Sequence, residues 1–180
     1  MTEHGLHLFE TAIGPCGIAW SEHGVAALQL PETDAHATRA RLRRRFPGGR
    51  EAPPPPEVQR AIDGVVALVG GAASDLSWVP LDMERVPPFH RRVYAIARTI
   101  APGATLSYGE IAARIGEAGE ARAVGQALAR NPSPIIVPCH RVLAAGGKIG
   151  GFSAPGSITT KRRLLAIEAV HAITAPRLFP

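Results

Sequence analysis

Pro132, Pro134 and Pro138 bracket the apolar run Ile135-Ile136-Val137, and Cys139, His140 and Arg141 follow at once. Each proline fixes its own φ, removes a backbone donor and pushes the residue before it toward extended backbone. Few conformations satisfy all three. Asn131-Pro132-Ser133-Pro134 must turn irregularly, and the apolar run behind it is expected as a rigid, buried floor that presents Cys139. A thiolate is the strongest nucleophile among the side chains, and a neighbouring His or Arg makes one available near neutral pH. Read alone, Cys139 is also compatible with a small buried hydrophobe.

The remaining composition narrows the setting. At 180 residues the chain holds one large domain or two small ones, and 46% apolar residues suffice for a core. No run of apolar residues is long enough to span a bilayer. The N-terminus shows no basic start and no apolar stretch, so no export signal is expected. Two cysteines without such a signal fit a reducing cytoplasm better than a disulfide framework. Charge is uneven. Residues 1–86 carry 8 basic and 11 acidic side chains, net −3, whereas residues 87–180 carry 12 and 4, net +8. A basic half beside a slightly acidic one points to a polyanion, nucleic acid first, as the partner of the second half.

Residues 6–30 read as paired strands with turns at Gly14-Pro15 and Glu22-His23-Gly24. Cys16 lies in or beside the second strand. No second ligand stands at metal spacing, so Cys16 is read as structural, and neither a metal nor another cofactor is expected. Thr33 to Phe46 is predicted as a helix capped by Thr33 or Asp34, with Ala37, Ala40 and Leu42 inward. Its basic end, Arg39 to Arg45, reads as a solvated face that suits a helix C-terminus. Pro47-Gly48-Gly49 stops it, and Pro53 to Pro56 is a stiff spacer. Val58 to Val69 is a second helix with Ile62, Val65, Val66 and Val69 on one side. Leu76 to Leu81 is expected as a short strand returning to the first sheet.

A boundary is expected near Val86-Pro87-Pro88. Phe89, Val93, Ile96 and Ile100 then recur at helical spacing. Ser107 caps a helix from Tyr108 to Ile115, and Glu110 completes a capping box. After a turn at Gly116 to Gly119, a second helix runs from Glu120 to Arg130 with Val124 and Leu128 inward. Two short helices joined by a glycine turn make a helix-turn-helix pattern. The second helix carries Arg122 and Arg130, and its small residues Ala121, Ala123, Gly125 and Ala127 would let its backbone approach DNA closely. A final helix from about Thr159 to His171 places Glu168 beside Leu164 and Leu165. A lone acid on an apolar face needs a partner, with His140 or an arginine as candidates. The fold class is therefore α+β. A small N-terminal α/β unit with a short antiparallel sheet (1–86) precedes a mainly helical C-terminal domain with a winged-helix-like helix-turn-helix (87–180).

Ala121-Arg122-Ala123-Val124-Gly125, Asn131-Pro132 and Pro138-Cys139-His140-Arg141-Val142 together resemble the O6-alkylguanine-DNA alkyltransferases, the methylated-DNA–protein-cysteine methyltransferases. The resemblance runs from Phe89 through Ser107-Tyr108-Gly109-Glu110 to Lys161 and Glu168. The first half matches by strand pattern, Gly14-Pro15 and Gly17. It implies direct-reversal repair by a monomer. Duplex DNA is bound in the minor groove through the helix-turn-helix, the damaged guanine is rotated out, and its O6-alkyl group passes irreversibly to Cys139. O4-alkylthymine is implied as a second substrate. The resemblance further implies roles for single residues. His140 takes the thiol proton through a water, and Glu168 orients the imidazole. Tyr108 donates to guanine N3, and Asn131 ties the turn behind the cysteine. Arg122 fills the gap left by the rotated base, and Arg130 lies on the same DNA-binding helix. The carbonyls of Cys139 and Val142 accept from the guanine amino group. Ser153 N–H donates to O6, and Pro134, Phe152 and Lys161 line the pocket. Phe152 stands where the family often has tyrosine, and the loop from Ser153 to Lys161 is longer than usual; both bear on the pocket wall.

Three other readings compete. Lesion-binding relatives without chemistry lack the cysteine, so Cys139 argues against that class. A methylation-sensing regulator needs a cysteine-rich metal domain that Cys16 alone cannot form. A cysteine acceptor for a non-DNA methyl donor is kept open by the altered loop.

Overall fold

The computed structural model describes residues 2–149 and 157–174. Strands β1 (Gly5–Thr11), β2 (Gly14–Ser21) and β3 (Gly24–Gln29) form an antiparallel meander. The two-residue strand β4 (Arg50–Glu51) adds to β1 in parallel, giving the order β3-β2-β1-β4. Alternation along β2 splits its side chains between two faces. Cys16, Ile18 and Trp20 join one core with Ile62, Val65 and Val69 of helix α2 (Pro56–Val69). Ala19 faces the other way, with Leu6, Ala27 and Leu42 of helix α1 (Ala35–Arg45). On that second face a Cβ at Gly17 would lie 2.9 Å from Leu42 Cδ2, so a larger residue there would make the Leu42 side chain shift. Asp34 caps α1 by accepting from Ala37 N–H.

Three details depart from the sequence reading. The first hairpin turns at Ala12-Ile13, and Gly14-Pro15 already belongs to β2. Val66 is exposed, and Val58, Ala61 and Leu68 complete the buried face of α2 instead. Leu76 to Pro80 is not a strand. Only Leu81 forms a bridge, parallel to Val25, flanked by bonds from Val25 N–H to the Pro80 carbonyl and from Asp82 N–H to the Val25 carbonyl. The segment is held instead by one side chain, as Arg98 Nη2 donates to the carbonyls of Leu76, Ser77 and Val79. A proline without a donor and a guanidinium that takes three carbonyls leave no ladder to build.

Helices α3 (Pro88–Ala97), α4 (Tyr108–Arg114) and α5 (Ala121–Ala129) form a second core around Val93, Tyr94, Ile111, Val124 and Leu128. The capping box at Ser107 and Glu110 is present in both directions. Tyr94, absent from the expected helix face, is fully buried, and its hydroxyl donates to the Ala127 carbonyl at 2.6 Å. Strand β5 (Leu106–Ser107) pairs in parallel with β6 (Val142–Leu143). This small sheet fixes the start of α4 against the end of the Pro-Cys-His-Arg segment. The last helix, α6, spans Ser157–Thr174. Ile135, Ile136 and Leu164 lie in the core shared with β2 and α2, so the floor beneath Cys139 is packed from the first half of the chain. None of the described helices is long and apolar enough to cross a membrane.

Candidate active site

The floor carries visible strain. Ile135 has φ 74°, alone among non-glycine residues in the described chain, and is 1% exposed. A β-branched residue in the left-handed region costs about 1–3 kcal/mol and persists only where surroundings over-determine it. Here they do. Asn131 Oδ1 accepts from Ser133 N–H, and Asn131 Nδ2 donates to the Val137 carbonyl, both at 2.9 Å. Val137 N–H bonds the Ser133 carbonyl, and Cys139 N–H returns to the Val137 carbonyl. Pro134 is buried within this turn. The segment ends in a 3-10 turn, Cys139–Arg141, all three residues of which are buried.

Cys139 is 7% exposed. Burial pushes its thiol up, while a hydrogen bond with Asn131, the Lys161 ammonium and the backbone N–H groups of Cys139 and His140 pull it down. The thiol is thus protonated at rest but surrounded by groups that favour its anion. Cys16 has no comparable set; burial drives it up to about 12.

His140 and Glu168 stand 28 residues apart in sequence and meet at 2.7 Å, Nε2 to Oε1. Burial pushes the Glu168 carboxyl up, but the hydrogen bonds and charges of His140 and Arg141 outweigh it and hold it at about 2. An ionised carboxylate only accepts, so the imidazole hydrogen sits on Nε2. Nδ1 is then a bare lone pair, and it is buried without a hydrogen-bond partner among the described residues. Burial lowers the His140 pKa, so the ring is neutral and able to take a proton.

Glu168 has a second partner. Arg141 donates to it from Nε and Nη2, at 3.0 Å to Oε2 and 2.7 Å to Oε1, while Nη1 bonds the Ile100 carbonyl. Sequence reasoning offered His140 or an arginine, and the structure uses both. Lys161, fully buried, donates from Nζ to the Val142 carbonyl at 2.7 Å and lies 5.8 Å from the Tyr108 ring centre. One lone pair of the carbonyl expected to accept from guanine is therefore already engaged. Nothing in the sequence signals that bond, because a backbone acceptor leaves no residue signature.

Tyr108 is half-buried at the first turn of α4, its pKa raised by burial and by Cys139. Gly125 of α5 lies beneath its ring: a Cβ there would sit 3.8 Å from Tyr108 Cδ1. Ala121 and Ala123 are partly exposed on α5. Arg122 and Arg130 are exposed, and their side chains make no ion pair or hydrogen bond among the described residues. Tyr94 packs in the core that includes Cys139, which sequence reasoning missed because its position broke the expected spacing. Phe152 and Ser153 lie outside the described residues. Among those described, no cluster of three His, Cys, Asp or Glu side chains is placed to hold a metal ion.

Comparison with known proteins places this arrangement. The family described as 6-O-methylguanine DNA methyltransferase, DNA binding domain, matches residues 88–170. The methylated-DNA–protein-cysteine methyltransferase of Methanothermobacter thermautotrophicus is 32% identical over 154 residues, covering 86% of this chain and 79% of its own. Its Mycobacterium tuberculosis counterpart is 44% identical over 127 residues, 71% of this chain and 74% of its own. Among solved structures, Mycobacterium tuberculosis OGT in complex with DNA aligns at a TM-score of 0.74 with 35% identity, over 94% of both chains. The O6-methylguanine-DNA methyltransferase of Pyrococcus kodakaraensis aligns at 0.67 with 26% identity, over 92% of this chain and 98% of its own. A cysteine held by an Asn turn, a neighbouring His oriented by Glu, and relatives that share most of the chain converge on one conclusion: the chain belongs to the methylated-DNA–protein-cysteine methyltransferases, which repair DNA by alkyl transfer to cysteine.

Proposed function

We propose that Cys139 accepts the alkyl group of O6-alkylguanine, and of O4-alkylthymine, rotated out of duplex DNA, once per molecule. The observation that carries this reading is a buried thiol, whose anion Asn131 and the Lys161 ammonium favour, next to a His140–Glu168 pair whose free ring nitrogen is Nδ1. The thiol proton passes by way of a water to His140 Nδ1, and Glu168 stabilises the imidazolium. The sulfur attacks the alkyl carbon in line, an S–C bond forms as the C–O6 bond breaks, and the base leaves with the bonding pair. Tyr108 donates its hydroxyl hydrogen to N3 of the departing guanine, which neutralises the developing charge, and the proton held on His140 returns through water to the phenolate. The Cys139 carbonyl and the remaining lone pair on the Val142 carbonyl accept from the guanine amino group. The thioether has no good leaving group, so the site is not regenerated.

Residues 87–180 act as the DNA-binding and alkyl-accepting unit, with 1–86 as its support, in a cytoplasmic monomer. Helices α4 and α5 enter the minor groove as a helix-turn-helix. Ala121, Ala123 and Gly125 permit close approach, Arg122 occupies the space of the rotated base and offsets its unstacking, about a few kcal/mol, and Arg130 meets the backbone.

Incubation with a duplex carrying O6-methylguanine should add the mass of one methyl group, at one per molecule, to the peptide containing Cys139. Label on another residue, or none, would sink the proposal. A second experiment isolates α5. Arg122→Ala should slow repair in duplex by about 10²-fold, because unstacking loses its filler, yet leave reaction with free O6-benzylguanine nearly unchanged. Equal losses on both substrates would remove Arg122 from base rotation.

A further inference from the structure

Tyr94 is the largest fully buried side chain among the described residues, and the transfer chemistry gives it no part. It shares a core with Val124, Leu128, Val137 and Cys139. A phenol closed off from water needs an acceptor, because an unmet hydroxyl is costly there. The Tyr94 hydroxyl finds the Ala127 carbonyl, at 2.6 Å. That carbonyl lies where α5 changes its bonding. In a continuing α-helix it would accept from the N–H four residues on, which belongs to Asn131. Pro132 disfavours helical backbone at Asn131. The helix end tightens instead: Arg130 N–H reaches the Ala127 carbonyl at 3.2 Å, and Asn131 N–H reaches the Leu128 carbonyl at 3.1 Å. Tyr94 supplies the short bond that Asn131 N–H does not.

Asn131 leaves the helix at this point and builds the floor of the site. Its side chain bonds Ser133 N–H and the Val137 carbonyl, and its hydrogen bond with the Cys139 thiol favours the anion. The carbonyl held by Tyr94 thus lies one helical turn before the amide that supports the sulfur. The phenol keeps its hydrogen near neutral pH. Burial first, then Cys139, push it up to about 12, against Arg130 at the end of α5. His90, one turn earlier on α3, has its ring centre 6.1 Å from that of Tyr94. Around the thiol itself stand Asn131, Lys161 of α6 and the N–H groups of Cys139 and His140.

We propose that Tyr94 is a positioning residue for the alkyl transfer: by holding the Ala127 carbonyl it fixes the point at which the chain leaves α5, and so holds Asn131 against the Cys139 thiol. The inference rests on the reading of Cys139 as the alkyl acceptor. It adds to that reading a fully buried group on α3 that acts through Asn131 and touches neither the alkyl donor nor DNA.

The test is single-turnover methyl transfer, across pH, from a saturating single-stranded oligonucleotide carrying O6-methylguanine, which needs no rotation out of a duplex. Tyr94→Phe deletes only the hydroxyl. It should slow transfer at pH 7 by about tenfold, the scale of one buried hydrogen bond. It should also move the rising limb of rate against pH by up to about one unit toward higher pH, because the thiolate loses support from Asn131. Lost stability alone leaves that limb in place while the variant is folded, which circular dichroism at the assay temperature verifies. A rate and a profile equal to those of the unaltered chain overturn the inference. So does a slower rate with an unmoved limb, the mark of a packing role. A second arm combines Tyr94→Phe with Asn131→Ala: the double variant should transfer no more slowly than Asn131→Ala alone, and additive losses overturn the inference. If Asn131→Ala does not fold, the position of the limb decides. Absence of methyl on Cys139 of the unaltered chain, from single strand and duplex alike, would instead defeat the alkyl-acceptor reading itself.

Discussion

Cys139→Ala should take up no alkyl group from an O6-methylguanine duplex, yet should still bind that duplex as the unaltered chain does. Loss of transfer should be complete rather than partial, because the only other thiol cannot substitute. Cys16 is fully buried in the sheet core and is driven up to about 12 by that burial. Cys139 is also buried, but Asn131, Lys161 and two backbone N–H groups favour its anion, so burial there restrains the thiol without disabling it. Alanine removes one sulfur from a packed cluster, a change that costs on the order of 1–2 kcal/mol and leaves the turn bonds of Asn131 intact. Intact-mass measurement reads the transfer, and fluorescence anisotropy reads the binding. Loss of both would mean misfolding or a different acceptor.

Much of this geometry was legible in the sequence, and the exceptions share physical causes. Helices with strong local signals emerged within a few residues of their expected bounds: the capping box at Ser107 and Glu110, the Asp34 cap, and the four-three-four spacing from Phe89. These signals are local, so sequence carries them. Leu76 to Pro80 looked like a strand because its apolar residues are buried, yet its backbone is claimed by Arg98 from another element. Val66 sat on the apolar side of α2 by projection but falls at the rim of the buried face, where it stays exposed. In the site, the pairing of Glu168 with a partner followed from an acid on an apolar face. Its double engagement did not, because one lone acid gives no count of donors. The Lys161–Val142 and Tyr94–Ala127 bonds were invisible for a different reason: their acceptors are backbone carbonyls, which every residue owns. The positive φ of Ile135 was equally hidden, since a β-branched residue gives the opposite local signal.

The second large effect is expected at Glu168. Its carboxylate is 3% exposed and receives His140 Nε2 together with Nε and Nη2 of Arg141. Glu168→Ala leaves the Arg141 guanidinium buried with the Ile100 carbonyl as its one remaining partner among the described residues, and breaking such a pair costs about 3–5 kcal/mol. Glu168→Gln keeps the shape and is the sharper test. An amide can donate as well as accept, so the hydrogen is no longer confined to Nε2, and Nδ1 loses its fixed role as acceptor. Transfer should slow by about 10²–10⁴-fold while duplex affinity is kept. Acid titration separates this role from packing. Glu168 has a folded-state pKa of about 2 against an ordinary 4.5, so its stabilisation is full above 4.5 and is lost as pH falls toward 2. The gap corresponds to about 3 kcal/mol. His140, whose pKa burial also lowers, acts in the same direction: its neutral form favours the fold, and that contribution fades as pH drops below the ordinary histidine value of 6.5. Urea unfolding from pH 7 to pH 3 should therefore show a steep loss of stability in the unaltered chain and a shallower one, from a lower starting point, in Glu168→Gln. An identical acid slope in both proteins would show that the ionised carboxylate does not hold the His140–Arg141 pair in place, and the tautomer assigned to His140 would fall with it.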